Sequence, residues 1–422
     1  MNQLLARYDE ALMPGVMGPR LADLTGRPGR VCHVLDGKFE AGVRAVVLYD
    51  VAGSLMRGDL LPAAGDARPE RRGITVAPGV SISLFPRDPD LPMLARVLDA
   101  SHLGSHLSSA GCLHRGEGGA RAGRRIRLSV LRYRPGKRAT VLLEIPGGRR
   151  LVAKVYHQQA KAAAVAAASI QLQATCGSSA VLRLAPTVAE LPALGVVVQE
   201  RVRGVPLDLL VDGPRGPLGE ARKAVALAGR ALAEFHEAPV PTDRPRPVEG
   251  ELRRLADRTA RIGTVAPRLG ALLVELEDRL VATRAAVPQG RPGHVHGDCK
   301  PSQFLVSDRH AHLMDLDHVG LADQVGDVAT FLASLRQLSV RRRMTASRGG
   351  TSDQLAELRR TFLGAYRDAR GDSPELSGVR WHEAVALERK ALRAFARAPG
   401  SPLPVALVGQ AHRCLDELGE GA

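Results

Sequence analysis

Residues 294–317 read HVHGDCKPSQFLVSDRHAHLMDLD and hold the residue types from which phosphoryl-transfer chemistry is built. His296-Gly297-Asp298 stands five residues before an amide, Gln303, and the apolar run Phe304-Leu305-Val306 separates that amide from a second acidic pair, Asp315 and Asp317. Transfer of a γ-phosphoryl group needs a carboxylate to orient the acceptor hydroxyl, with an amide oxygen and a carboxylate to hold magnesium. Mg²⁺ takes hard oxygen ligands of this kind. Two short apolar strands joined by a turn would bring both ends of the stretch to one edge. A lone His-Gly-Asp or Asp-Leu-Asp is common by chance. The information lies in their order, with Asp315 twelve residues after Gln303 and an apolar strand on each side.

On these residues the chain resembles the aminoglycoside phosphotransferase and choline kinase group, the small-molecule branch of the protein-kinase-like fold. The resemblance implies ATP as phosphoryl donor, Mg²⁺ as metal, and a hydroxyl-bearing small molecule (a sugar, amino alcohol or antibiotic) as acceptor. It also implies roles. Asp298 would accept a hydrogen bond from the acceptor hydroxyl, and an ordinary aspartate is ionised at neutral pH. Gln303 takes the place usually held by Asn, with the same amide oxygen one methylene further out. Asp315 matches the metal-binding acid that opens the DFG of protein kinases. Asp317, in place of the glycine, is expected to touch a second metal or to cap a turn. The run DCKPSQ mirrors the protein-kinase DLKPEN, so Lys300 is expected to stabilise charge on the transferred phosphoryl group. Asp327 and His296 resemble residues that brace and pin the catalytic loop.

Other elements must position this stretch. Residues 128–155 read as three strands (LSVLRYRP, RATVLLEI and RRLVAKVY) bounded by Pro/Gly turns, the hairpin pattern. Lys154 lies near the end of the third strand between apolar neighbours, where an unpaired Lys would be costly. In kinase-like folds that lysine reaches the α- and β-phosphates. Two departures stand out. No GxGxxG loop covers the phosphates, which leaves the turn Arg134-Pro135-Gly136-Lys137 as the candidate cover. The helical stretch after Lys154 has no Asp or Glu between His157 and Ala180, so the nearest downstream acid is Glu190. The Gly-rich run at 116–123 precedes the first strand and reads as a linker. LGVVVQERVRGVPL at 194–207 reads as a buried strand with a polar exit and resembles the hinge between lobes, with backbone at Gln199, Glu200 and Arg201 open to the nucleotide base. Helical patterns follow: one ends at Phe235-His236, where His236 reads as a packing residue, another spans RLGALLVELEDRLVATRAA, and more lie in GDVATFLASLRQL, 353–368 and 381–397.

The segment KFEAGVRAVVLYDV at 38–51 aligns without gaps to RYRPGKRATVLLEI at 132–145. This echo predicts a strand-turn-strand in an extra N-terminal αβ cap on the small lobe, as in maltokinase-like proteins. ISLFPRDPDLPMLARVLDAS is expected to close it with a strand, a Pro turn and a helix. The expected fold class is α+β: a bilobal protein-kinase-like fold with a small antiparallel β-sheet lobe, a mostly helical C-terminal lobe and the N-terminal cap. The expected divisions are 1–125 for the cap, 126–203 for the N-lobe and 204–422 for the C-lobe.

The 422 residues are enough for two or three domains. Formal net charge is +15, but only seven of the 59 basic residues are lysine and the basic residues are dispersed. No aromatic-interleaved basic stripe accompanies them, so no specific nucleic-acid partner is expected, though a basic surface suits ATP or a phosphorylated substrate. The five cysteines show no CxxC spacing, which argues against disulfides and zinc. Cys299 beside Asp298 is a small hydrophobe or a thiol-reagent site. Without an apolar run of membrane length or a signal core, the expected location is the cytoplasm, with no membrane partner. Two alternatives remain at this stage: a pseudokinase scaffold, favoured by Gln303 and the acid-free helix, and a protein kinase, disfavoured by the lack of an Ala-Pro-Glu element.

Overall fold

The computed structural model describes residues 3–24, 26, 31–62, 73–77, 79–113, 126–213, 218–238, 245–288, 290, 292–345, 352–370 and 376–419. The Gly-rich run at 116–123 lies outside them. The chain divides into two compact units, the first made of Met1–Ala167, Pro186–Arg201 and Ala396–Pro399.

The first unit opens with α1 (Gln3–Ala11) and α2 (Pro14–Leu24), then β1 (Cys32–Glu40), β2 (Arg44–Val51), β3 (Ser54–Leu60), β4 (Ile74–Ala77) and β5 (Val80–Leu84). These strands form one antiparallel sheet in the order β1-β2-β3-β5-β4. α3 (Leu94–Val97) and α4 (Ala100–Ser109) follow, and the Asp99 carboxylate caps α4 by accepting from the amides of Ser101 and His102. Next come β6 (Arg127–Arg134), β7 (Arg138–Glu144), β8 (Arg150–Tyr156) and α5 (Gln159–Cys176), whose residues from Ala168 on count in the second unit. β9 (Leu182–Leu184) belongs to the second unit, and β10 (Thr187–Leu191) and β11 (Val196–Glu200) then complete a second antiparallel sheet. Its order, β6-β7-β8-β11-β10, repeats the first sheet strand for strand.

The echo in the sequence is therefore an echo of hairpins. Phe39 faces Ala45 and Glu40 faces Arg44 in the first, while Tyr133 faces Ala139 and Arg134 faces Arg138 in the second. The extra N-terminal αβ region is present, and its strands reproduce the topology of the lobe that follows. One core serves both parts: Leu48, Leu91, Leu94, Val97, Leu103 and Leu107 pack with Val141, Leu143, Ala153, Val155, Val196 and Val198. Each large apolar side chain among them contributes roughly 1.5–3 kcal/mol on burial.

The second unit contains β12 (Val205–Pro206), α6 (Leu207–Asp212), α7 (Leu218–Glu237), α8 (Val248–Gly263) and α9 (Pro267–Thr283). β13 (Pro292–Val295), β14 (Phe304–Val306), β15 (Ala311–Leu313), β16 (Gly320–Asp323), α10 (Val325–Thr345), α11 (Ser352–Arg370), α12 (Val379–Arg397) and α13 (Leu403–Gly419) complete it, with the last residues of α12 counted in the first unit. The sheets here are small, β12-β14-β15-β9 and β13-β16. The core is helical, with Phe331 and Phe362 stacked at 3.8 Å and Phe304 edge-on to Phe331. The α+β class and the helical character of the C-terminal half stand as expected. α8 and α13 go beyond the sequence reading. In α8 only Leu255, Thr259 and Ile262 are buried, a stripe too thin to stand out among its arginines. Among the described residues no helix is long and apolar enough to cross a membrane.

Candidate active site

The catalytic loop is built in the second unit from a short strand pair. β13 pairs antiparallel with β16, and the chain leaves Val295 directly into His296-Gly297-Asp298. Gly297 has a positive φ, and a Cβ there would collide with the Arg246 guanidinium and the His318 carbonyl, so this position requires glycine. Asp327, in the first turn of α10, accepts from the amides of His296 (2.5 Å) and Gly297 (2.9 Å). His236 lies 3.3 Å from the same carboxylate through Nε2 and bonds the Tyr366 hydroxyl through Nδ1 at 2.9 Å. Burial lowers the His236 pKa, so the ring is neutral and its Nε2–H donates to Asp327. Burial also pushes the Asp327 carboxyl up, but these donors outweigh it and the group titrates below its ordinary value. His296 ties the loop to the next segment: its Nδ1 accepts from the Asp298 amide (3.3 Å) and its Nε2 donates to the Met314 carbonyl (2.8 Å). One neutral tautomer satisfies both bonds.

The loop presents the Asp298 side chain, which is only 12% exposed. Its Oδ2 pairs with the Lys300 ammonium and accepts from Gln303 Nε2 at 3.3 Å, and its Oδ1 lies 3.4 Å from Arg393 Nη1. Burial alone would raise this carboxyl, but Lys300 and then Arg393 overcome it and hold the group far below the usual carboxylate range. Lys300 is lowered by burial and partly supported by Asp298. Gln303 sits at the end of a tight turn entered by Pro301, its amide donating to the Lys300 carbonyl at 2.9 Å. Because Nε2 faces Asp298, Oε1 is the atom left to face a cation.

The β14–β15 hairpin delivers the second acidic pair. Phe304 faces Leu313, and the Met314 amide donates to the Gln303 carbonyl at 2.8 Å, so Asp315 follows one residue after the contact with Gln303. Asp315 adopts a left-handed backbone, a conformation costly for most side chains and tolerated best by Asn and Asp. Its charge reaches Lys300. Asp317 lies in the turn Leu316–His318 that follows. The structure thus gathers Asp298, Lys300, Gln303 and Asp315 from the sequence motif. Cys299 is fully buried and its thiol pushed well up by burial, so it is a small hydrophobe and no target for thiol reagents.

Lys154, Gln199 and Arg201 belong to the first unit. Lys154 lies in β8 between Thr140 of β7 and Val197 of β11. Leu151, Ala153 and Val155 face the main core, so alternation puts Lys154 on the other face with Tyr156, which packs on Ala162, Val165 and Ala166 of α5. Glu190 pairs with Val197 and therefore stands in the same row of this face, two strands from Lys154. The Gln199 side chain is buried and donates to Thr187 Oγ1 at 3.4 Å.

The amides of Glu200 and Arg201 already donate to the carbonyls of Pro186 (2.8 Å) and Arg150 (3.0 Å), so neither is open to a nucleotide base. The turn 134–137 offers no amide cradle for phosphates either. Gly136 donates to the Asp88 carboxylate at 2.7 Å, and Lys137 donates back to Arg134. A charge-assisted bond to Asp88 docks that turn on the cap.

Residues 133–377, more than half of the chain, match the family model described as the phosphotransferase enzyme family, APH. The chain belongs to that family. It is a small-molecule phosphotransferase with a kinase-like fold. Among solved structures the phosphotransferase is similar to choline kinase from Cryptosporidium parvum Iowa II, at 12% identity, 70% of this chain, 91% of that chain and TM-score 0.49. It is also similar to amicoumacin kinase hAmiN in complex with AMP-PNP, Ca²⁺ and Ami, at 13% identity, 68% and 88% coverage and TM-score 0.47. A third similar structure is a choline/ethanolamine kinase family protein from Mesorhizobium loti, at 17% identity, 74% and 94% coverage and TM-score 0.46. No curated protein matches the chain.

Sequence reasoning missed Arg393 and its helical neighbours Arg389 and Lys390. No signal marks them, because arginine is abundant everywhere in this chain and Arg393 lies 95 residues from Asp298.

Proposed function

We propose that this phosphotransferase moves the γ-phosphoryl group of ATP to a hydroxyl of a small molecule, with Asp298 orienting the acceptor. The observation that carries this reading is the state of Asp298: a nearly buried carboxylate kept ionised by Lys300 and Arg393, on a loop fixed by Asp327 and His296. An ionised carboxylate in a fixed position can accept and align a hydroxyl proton, and positioning supplies most of the rate in this chemistry. Lys300 would leave Asp298 for the charge on the transferred group, and Lys154 would hold the α- and β-phosphates, with Glu190 on the right face to orient it. With two amides of the 199–201 segment engaged, base recognition there falls to its carbonyls.

The donor set suits Mg²⁺. Gln303 Oε1, Asp315 and Asp317 are all-oxygen ligands, and Asp is a residue that tolerates the left-handed backbone found at position 315. Among the described residues no three His, Cys, Asp or Glu side chains gather as a cage. That accords with Mg²⁺, which takes one or two protein carboxylates and fills its shell with phosphate oxygens and water. When bound, the ion would neutralise charge on the β- and γ-phosphates.

The test is thermal melting with ATP, with Mg²⁺ and with both, on wild type, Asp315→Ala and Asp298→Asn, followed by ADP release against hydroxylated metabolites. Stabilisation of about 2.7 kcal/mol at a hundredfold excess over Kd should require both ligands. It should vanish in Asp315→Ala and persist in Asp298→Asn, whose turnover should fall by about 10³-fold. Unchanged turnover in Asp298→Asn would leave a nucleotide-binding scaffold, and no stabilisation by any combination would end the kinase reading.

A further inference from the structure

We propose that the acceptor is an anion: a hydroxylated small molecule carrying a carboxylate or phosphate, gripped by the arginines of α8 and α12 beside Asp298. The inference rests on Asp298 being the acceptor-orienting group, and it deepens that reading by naming the substrate class.

Any acceptor hydroxyl must come within about 2.6–3.2 Å of Asp298 to be oriented by it. Arg393 Nη1 is 3.4 Å from that carboxylate, and its side chain is 51% exposed, so a cation open to solvent adjoins the carboxylate. One turn earlier on α12, Arg389 donates to Glu251 of α8 at 2.6 Å and to Thr330 at 2.9 Å, and its charge also reaches Asp298. That bond ties the start of α8 to α12. Spacing along α8 then places Arg254, Arg258 and Arg261 on the side that follows Glu251. Burial lowers both Arg246 and Arg258: at Arg258 the charges of Arg393, Arg261 and Arg389 add to it against Glu388, and at Arg246 those of Arg254 and Arg389 add to it against Glu251 and Asp327.

Asp257, three residues after Arg254 and four before Arg261 on α8, offsets part of this charge, and the other acids nearby are already engaged. Glu251 is taken by Arg389, and Asp327 by the loop amides and His236. Glu388, fully buried on α12, faces Glu277 of α9, and burial with that second carboxyl disfavours its charged form and pushes its pKa up against the pull of Arg258. Lys390 shows the same crowding: burial, then Arg389, Arg393 and Lys300, push it down to about 7. A cationic acceptor would enter against this field of like charges. A carboxylate or phosphate meets forked donors that bind it bidentately.

The first experiment fills the nucleotide site with Mg·AMP-PNP and follows the melting of the full chain at constant ionic strength with added inorganic phosphate, malonate or choline chloride. Phosphate or malonate should add a saturable rise in Tm over the sodium chloride control, choline none, and Arg258→Gln with Arg393→Gln should weaken the anion effect at least tenfold. The larger of the phosphate and malonate shifts tells which group the acceptor carries. ADP release is then measured with glycerate, gluconate, glycerol 3-phosphate and glucose 6-phosphate against glycerol, glucose, ethanolamine and glucosamine. An anionic acceptor should stimulate most, and the arginine variants should raise its KM at least tenfold while moving the KM for ATP less than threefold. No anion-dependent shift, preferential turnover of a cationic or neutral acceptor, or an arginine effect confined to ATP would each overturn the proposal. The Mg·AMP-PNP shift itself reports separately on the kinase reading.

Discussion

The first two sheets share strand order and hairpin register, yet the same lattice point carries opposite charges. Val46 of β2 faces Asp59 of β3, and at the equivalent place Thr140 of β7 faces Lys154 of β8. In the first sheet the charge is part of a closed set. Arg57 is fully buried, pairs with Asp59 at 2.8 Å and Asp90 at 2.6 Å, and also binds Asp88, which takes the Tyr133 hydroxyl at 2.7 Å. Burial would lower the Arg57 pKa, but the aspartates around it raise it above its ordinary value. Asp88 and Asp90 come from the segment after β5, and Arg44 also pairs with Asp90 at 3.3 Å, so the cap supplies every member of this cluster and uses it to hold the turn at Gly136. The second sheet keeps a lysine in a row with Val197 and Glu190, on the face covered by α5. One scaffold thus supports a structural charge cluster in one copy and, in the other, the lysine proposed to hold the nucleotide phosphates. What surrounds each position, more than its place in the sheet, decides which.

The largest effect that would sharpen this contrast is functional. Lys154→Met should lower turnover by about 10²–10³-fold, the scale of losing one preorganised charge in an active site, with little change in urea midpoint. Equal loss of stability and activity would mean that Lys154 is structural like its counterpart. The reverse is expected of Arg57→Met, which strands buried aspartates and should cost about 3–5 kcal/mol in urea unfolding while the KM for ATP holds. A smaller effect comes from Lys390, a buried cation among cations. Its folded pKa of about 7 lies below its ordinary value, so between those values the unfolded chain binds a proton that the folded chain does not. Stability contributed by this group therefore rises with pH across that window. Lys390→Met should raise the midpoint most at pH 7 and progressively less toward pH 10, as wild-type and variant unfolding curves at matched pH would show. A gap independent of pH would mean that Lys390 stays charged in the folded chain.

Much of the candidate site was legible because it is local. The β14–β15 hairpin joins Gln303 to Met314 through contacts within one short segment, so apolar runs and a turn suffice to predict the approach of Asp298, Gln303 and Asp315. The first hairpin was legible for the same reason, through its echo of the second. The partners of the Gly136, Glu200 and Arg201 amides were not legible, since a sequence shows that a backbone N–H exists but not which carbonyl or carboxylate claims it.

The chain's own order of residues determined the phosphotransferase chemistry, the hairpin registers and the glycine at 297, since each follows from spacing, alternation or backbone sterics over a few residues. Only the tertiary structure decided that His236 holds Asp327 across 91 residues, that Arg57 is neutralised inside the cap, and that Arg393 meets Asp298. Those pairings depend on which helix faces meet in the packed core. An arginine-rich sequence cannot distinguish a solvated guanidinium from one aimed at a catalytic carboxylate.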